Sequence, residues 1–181
     1  MKTTKPKVRP RTKPVIGLGV VAQWPKVALP ADHQGDVTVL GIDPGKHSGL
    51  AWFTGGTLLA LEEVEPAELA IVLVSKRPTL VIFEDSRRSK RVWTGDGSAA
   101  KRAVMARNVG EIDAWCKLIE ATCAKLGIAC YGMAPSAKAG GQRGAKIASE
   151  AFNRFTGWTG RSNQHCRDAA MIAWPFRRAA K

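Results

Sequence analysis

The sequence predicts an α/β domain, a mixed β-sheet flanked by α-helices. Three observations predict it. Residues 37–53 read as a strand, a tight turn at Pro44-Gly45 and a strand returning alongside. Residues 79–84 form a second short apolar run that, like the first, ends in a carboxylate. Helical stripes stand between and after these strands, the alternation expected when helices cover a sheet.

The 181 residues suffice for one domain with a real core. Residues 1–35 read as a basic, proline-containing extension, mobile in part, and residues 36–181 as the domain. In the first strand Val37, Val39 and Ile42 are β-formers and Asp43 ends the run. Gly55-Gly56 suits a hairpin turn into a third strand at 57–63. Pro66 fits the first turn of a helix, Glu68 its positive end, and Leu69, Val72 and Leu73 its buried stripe, with an end near Lys76-Arg77-Pro78.

After the 79–84 strand comes a polar loop with Arg87, Arg88, Lys90 and Arg91, then Trp93. Ser98 can cap a long helix reaching about residue 125, with Ile112, Trp115, Leu118, Ile119 and Thr122 as its stripe and Gly127 as its stop. A short strand at 128–133 leads through Pro135 into a basic, glycine-rich segment carrying Lys138, Arg143 and Lys146. A helix is expected over 145–155, apolar at Ile147, Ala151 and Phe155. Asn163 caps a final helix at 164–174 that Pro175 stops. On it His165 and Asp168 share a face, while Ala169, Ala170, Ile172 and Ala173 pack on the sheet.

Lys and Arg total 28 against 15 Asp and Glu, a net charge of +13, which favours a polyanionic partner, most often nucleic acid. No apolar run is long enough to span a membrane. None of the four cysteines forms a Cys-x-x-Cys pair, which argues against zinc. Cys116 and Cys123, seven apart, read as core thiols of a reducing cytosol. The poverty of the basic N-terminal segment in serine argues against a mitochondrial transit peptide. The segment around Gly141 and Lys146 lacks the Gly-Lys-Ser/Thr ending of a P-loop.

Asp43 before Pro-Gly is ordinary turn chemistry, and on that stretch alone a turn cap and a catalytic carboxylate weigh evenly. Asp43, Glu84, Asp168 and His165 together can converge at one sheet edge. Oxygen ligands of this kind suit Mg²⁺ or Mn²⁺. Two such ions about 3.5–4 Å apart activate a water and stabilise the leaving oxygen in phosphodiester hydrolysis. The cations of the two basic loops, with Trp93 to stack on an unpaired base, suit DNA: Arg87, Arg88, Lys90, Arg91, Lys138, Arg143 and Lys146.

Gly-Ile-Asp-Pro-Gly at 41–45, the carboxylate of Val-Ile-Phe-Glu-Asp at Glu84, Ala-Pro-Ser-Ala-Lys at 134–138 and His-Cys-Arg-Asp-Ala-Ala-Met-Ile-Ala at 165–173 resemble, in order and rough spacing, the RuvC-type Holliday junction resolvases of the RNase H-like superfamily. The resemblance runs from about residue 38 to 174. It implies an RNase H-like fold, a homodimer, and paired metal-dependent cuts across a four-way DNA junction. By position it makes Asp43, Glu84, His165 and Asp168 the catalytic and metal-binding set. Asp43 would bridge two Mg²⁺ ions, Glu84 would hold one, and Asp168 with His165 would complete the other. Lys138 and Lys146 fall near the family's phosphate-contacting lysines, and Trp93 near an aromatic at the junction centre. The basic extension suggests a divergent, phage-type member acting in the cytoplasm of a bacterial or infected host cell.

Rival readings share parts of this pattern. A YqgF-like RNA nuclease would carry the same strand-end acids. An actin-like or sugar-kinase-like ATPase would need a second lobe and a second phosphate loop, for which the chain is too short. A catalytically silent nucleic-acid-binding protein would explain the charge but leave the matched acids a coincidence.

Overall fold

The structure, a computed structural model, describes residues 37–88, 98–135 and 146–178. The first strand, β1 (Thr38–Asp43), turns through Pro44 into β2 (Ser48–Thr54). The buried Ser48 hydroxyl holds that turn: it donates to the Gly45 carbonyl at 3.1 Å and accepts from the Gly45 amide at 3.3 Å. Gly55 and Gly56, both at positive φ (57° and 86°), make the expected hairpin turn into β3 (Thr57–Val64). A short 3₁₀ turn at Pro66–Glu68 opens α1 (Leu69–Lys76), whose Leu69 and Leu73 are buried and which Arg77 ends in a left-handed conformation. β4 (Leu80–Glu84) and β5 (Ala129–Met133) flank the long α2 (Ala99–Leu126). Last come α3 (Ser149–Thr156) and α4 (Gln164–Ala173).

The sheet runs β3-β2-β1-β4-β5. β1, β2 and β3 are antiparallel neighbours, whereas β4 lies parallel to β1 and β5 parallel to β4. The alternation of side chains divides the core in two. Val39, Ala51, Phe53, Leu80 and Ile82 face α4 and Phe152 of α3; Leu40, Ile42, Leu50, Trp52, Val81 and Phe83 face α1 and α2. Among the described residues no helix is long and apolar enough to cross a membrane.

α4 lies unusually close to the sheet, and two glycines permit it. A Cβ on Gly41 would stand 2.2 Å from the Ala169 carbonyl oxygen, and one on Gly49 would stand 2.2 Å from the His165 carbonyl carbon. Small residues on the helix, Ala169, Ala170 and Ala173, complete the fit and are fully buried. The helix start is fixed by Asn163, whose side chain accepts from the Cys166 amide at 2.8 Å, and by the Cys166 thiol, which donates to the Glu62 carbonyl at 3.1 Å.

Two helices differ from expectation. The buried line of α2 is Cys116, Ile119 and Cys123, with Ile112 and Leu126 beside it; Trp115, Leu118 and Thr122 flank it half-exposed. The cysteines act as small apolar residues there and turn the stripe by one position. α3 is shorter than expected and buries Phe152. Ile147 packs from extended chain before the helix, and Phe155 sits half-exposed against Trp174, ring centroids 4.9 Å apart. The other caps hold as read: Ser98 accepts from the Lys101 amide, and Gly127 closes α2 at φ 68°.

Two stability outcomes follow from the seating of α4. Gly41→Ala must push a helix backbone off the sheet and should cost about 3 kcal/mol. Asn163→Ala removes only a cap and should cost about 1 kcal/mol. Urea unfolding followed by circular dichroism compares them; an alanine at 41 that costs no more than the one at 163 would contradict the close seating.

Candidate active site

The strand register builds the site. β1 and β4 pair in parallel from Val39↔Leu80 to Ile42↔Phe83. Asp43 and Glu84 are each the next residue, so the two carboxylates end neighbouring strands, about 4.8 Å apart, and leave from the same face. That face is the one α4 covers. From α4, the His165 ring reaches Asp43, Nδ1 to Oδ2 at 3.1 Å. Asp168, one turn on, is only 7% exposed and accepts from the Gln164 side-chain amide at 3.0 Å. Asp43 is 16% exposed and His165 47%, so this corner opens to solvent at the imidazole. Glu84 Oε2 is buried.

β1 and β4 thus end in Asp43 and Glu84 on neighbouring strands, and α4 brings His165 to Asp43, with Asp168 one turn further along the same helix. Three carboxylates and an imidazole form a donor set that matches Mg²⁺ or Mn²⁺ in chemistry. As the side chains lie, no three Asp, Glu, His or Cys groups among the described residues form a cluster that could hold a metal ion.

The same row of the sheet continues to Glu63. Asp43 pairs with Gly49, and Gly49 with Glu63, so Glu63 leaves from the α4 face two strands away. Its carboxylate accepts from the Asn163 side-chain amide and meets His47 Nδ1 at 3.3 Å. Glu63 therefore braces the cap residue that starts the helix bearing His165. Sequence reasoning named Asn163 but missed Glu63 and His47; an acid ending a strand paired beside the Asp43 turn was the available signal.

The expected DNA-contacting cations divide. Lys90, Arg91, Trp93, Lys138 and Arg143 lie outside the described residues. Lys146 is exposed at the start of the described segment before α3. Next to it, the Ile147 carbonyl accepts from Arg167 Nε at 3.1 Å, which ties the base of that basic loop to α4. Arg88 is exposed, 61%, with Nε 3.3 Å from Asp85 Oδ2. Arg87 is engaged instead: it is 25% exposed and bonds both oxygens of the buried Asp85, at 2.7 and 2.9 Å, and Glu120 at 2.8 Å. Burial alone would raise the Asp85 carboxyl, but the hydrogen bonds and charge of Arg87 outweigh it and hold it below the ordinary carboxylate value. Asp85 and Glu120 were not singled out from sequence.

No protein-family model and no curated protein sequence matches the chain. Solved structures do. The chain is similar to RuvC of Thermus thermophilus in complex with a Holliday junction substrate, with 21% identity, a TM-score of 0.50, and coverage of 76% of this chain and 90% of that one. A second Thermus thermophilus RuvC structure gives 22% identity, a TM-score of 0.47, and 76% and 92% coverage. The five-stranded mixed sheet flanked by helices is a RuvC-like fold of the RNase H-like kind.

Proposed function

We propose that this chain is a metal-dependent, structure-selective endonuclease that resolves four-way or branched DNA junctions by paired phosphodiester hydrolysis. The observation that carries this reading is the corner itself. Asp43 and Glu84 end neighbouring parallel strands on one face, beneath the helix that brings His165 and Asp168. The likeness in fold to a RuvC solved with a Holliday junction supports it, as does the net charge of +13.

Asp43, Glu84 and Asp168, with His165, would hold Mg²⁺ or Mn²⁺, which lowers the pKa of a bound water and stabilises the leaving oxygen. The protein's own groups do the rest. The Asp43 carboxylate meets His165 Nδ1 at 3.1 Å, which orients the ring with Nε2 on its other side. Asp168 is oriented by Gln164 on its own helix. Arg88 and Lys146, with Lys90, Arg91, Lys138 and Arg143, supply phosphate contacts, and Trp93 a stacking ring. Two cuts on opposed strands require two such corners, which a homodimer provides.

One observation favours the non-catalytic binding reading: no three-ligand cluster stands ready among the described side chains. Cleavage of a synthetic four-way junction, with linear duplex as control, in Mg²⁺ and in EDTA, decides between the two. Symmetric nicks on the junction alone, lost in EDTA, are expected. Asp43→Asn should lower single-turnover cleavage more than about a hundredfold, beyond the usual effect of losing an outer partner of a metal site, while the junction Kd holds. Near-normal cleavage by that variant would sink the assignment, and preferential cutting of structured RNA would redirect it to an RNA nuclease.

A further inference from the structure

The chain leaving β4 is held more firmly than a surface loop requires. Side chains alternate, so Asp85 points away from Glu84, to the α2 face. There Asp85 is buried, with its carboxylate over Gly132 of β5, where a Cβ would stand 2.7 Å from Oδ2. Its amide donates to the Met133 carbonyl at 2.7 Å, which extends the β4–β5 pairing by one bond. Arg87 closes on it through Nε, Nη2 and the backbone amide, and then reaches Glu120 on α2. Two neighbours repeat the attachment: the Ser86 hydroxyl donates to Asp113 at 2.6 Å, and the Cys116 thiol to the Glu84 carbonyl at 3.6 Å. The backbone on both sides of Glu84 is thereby clamped between β5 and α2.

We propose that Arg87 is a positioning residue rather than a DNA contact: bridging Asp85 and Glu120, it fixes the exit of β4 and so holds the Glu84 carboxylate beside Asp43. The inference rests on the reading of Glu84 as a metal-binding acid. A phosphate would have to displace two carboxylates from Arg87, one of them buried, to recruit it. Among the described residues the Arg88 side chain makes only the longer 3.3 Å contact, and at 61% exposed it is the cation of this pair that is available to phosphate.

The test uses the full chain and four variants: Arg87→Met, Arg87→Lys, Glu120→Gln and, as control, Glu84→Gln. Mn²⁺ affinity is measured by calorimetry, junction affinity in EDTA across a salt series, cleavage under single turnover, and thermal melting. Arg87→Met should weaken Mn²⁺ binding and slow cleavage about tenfold each, the usual effect of losing an outer partner of a metal site. Its junction Kd and salt slope should match the wild type. Arg87→Lys should not recover either property, because an ammonium cannot bridge two carboxylates in that fork geometry. Glu120→Gln should shift both in the same direction by less, and it decides the matter if Arg87→Met does not fold.

A weaker junction Kd with a salt slope reduced by about one, at unchanged Mn²⁺ affinity, would make Arg87 a phosphate contact and overturn the proposal. A lowered melting temperature with Mn²⁺ affinity and cleavage intact would overturn it too, leaving a merely structural tie. If Glu84→Gln cuts like the wild type, the functional reading has failed and the inference goes with it. If Glu84→Gln is dead while Arg87→Met binds Mn²⁺ and cuts normally, the inference alone has failed.

Discussion

The close seating of α4 on β1 and β2 is the constraint on which the rest of the structure depends. A helix normally rides on a sheet with side chains between the two backbones. Here Gly41 and Gly49 remove them, and the helix backbone comes down onto the strands. Only at that distance can the imidazole of His165 meet Asp43, since the contact is made from the first turn of the helix. The same descent buries Asp168 and lets the Cys166 thiol reach the Glu62 carbonyl. Packing and site geometry are one arrangement: a methyl group at either glycine would displace the helix and carry His165 away with it.

Much of this was legible in the sequence because it is local. Strand ends at Asp43 and Glu84, the Gly55-Gly56 turn, the Ser98 and Asn163 caps and the Gly127 stop each depend on a few neighbouring residues, and each stands where the pattern puts it. The seating of α4 was not legible. Gly41 and Gly49 look like β-strand weaknesses until the helix above them is known. The face of α2 was legible through its cysteines and obscured by Trp115 and Leu118, because a large apolar residue attracts attention that a buried thiol does not.

The charged residues show the same limit. A run of arginines after a strand reads as a phosphate-binding cluster, and Arg88 is exposed. Arg87 differs because its partners are split between the adjacent Asp85 and Glu120, on α2. No pattern in the sequence connects residue 87 to residue 120; the packing of α2 on β4 and β5 does. Glu63 is a similar case. Only the register across three strands puts it in the row of Asp43 and against the cap of α4.

The candidate corner also carries an electrostatic demand. Two ionised carboxylates held about 5 Å apart would repel by roughly 3 kcal/mol at an effective dielectric of about 20, so acids on neighbouring strand ends need partners. Asp168 adds a third acid from above, 7% exposed. Acids drawn toward one another cost folding free energy unless each has a partner. His165 provides one partner, for Asp43. Arg87 does not serve, since it lies on the far face with Asp85 and Glu120. These acids sit in a chain whose net charge is +13. Under the proposed function, a divalent cation would be the small, hard charge between the carboxylates, and the excess of lysine and arginine would face the DNA. Asp85, next in the chain but turned to the opposite face, is locked to Arg87, so that it adds rigidity to the end of β4 rather than an uncompensated charge.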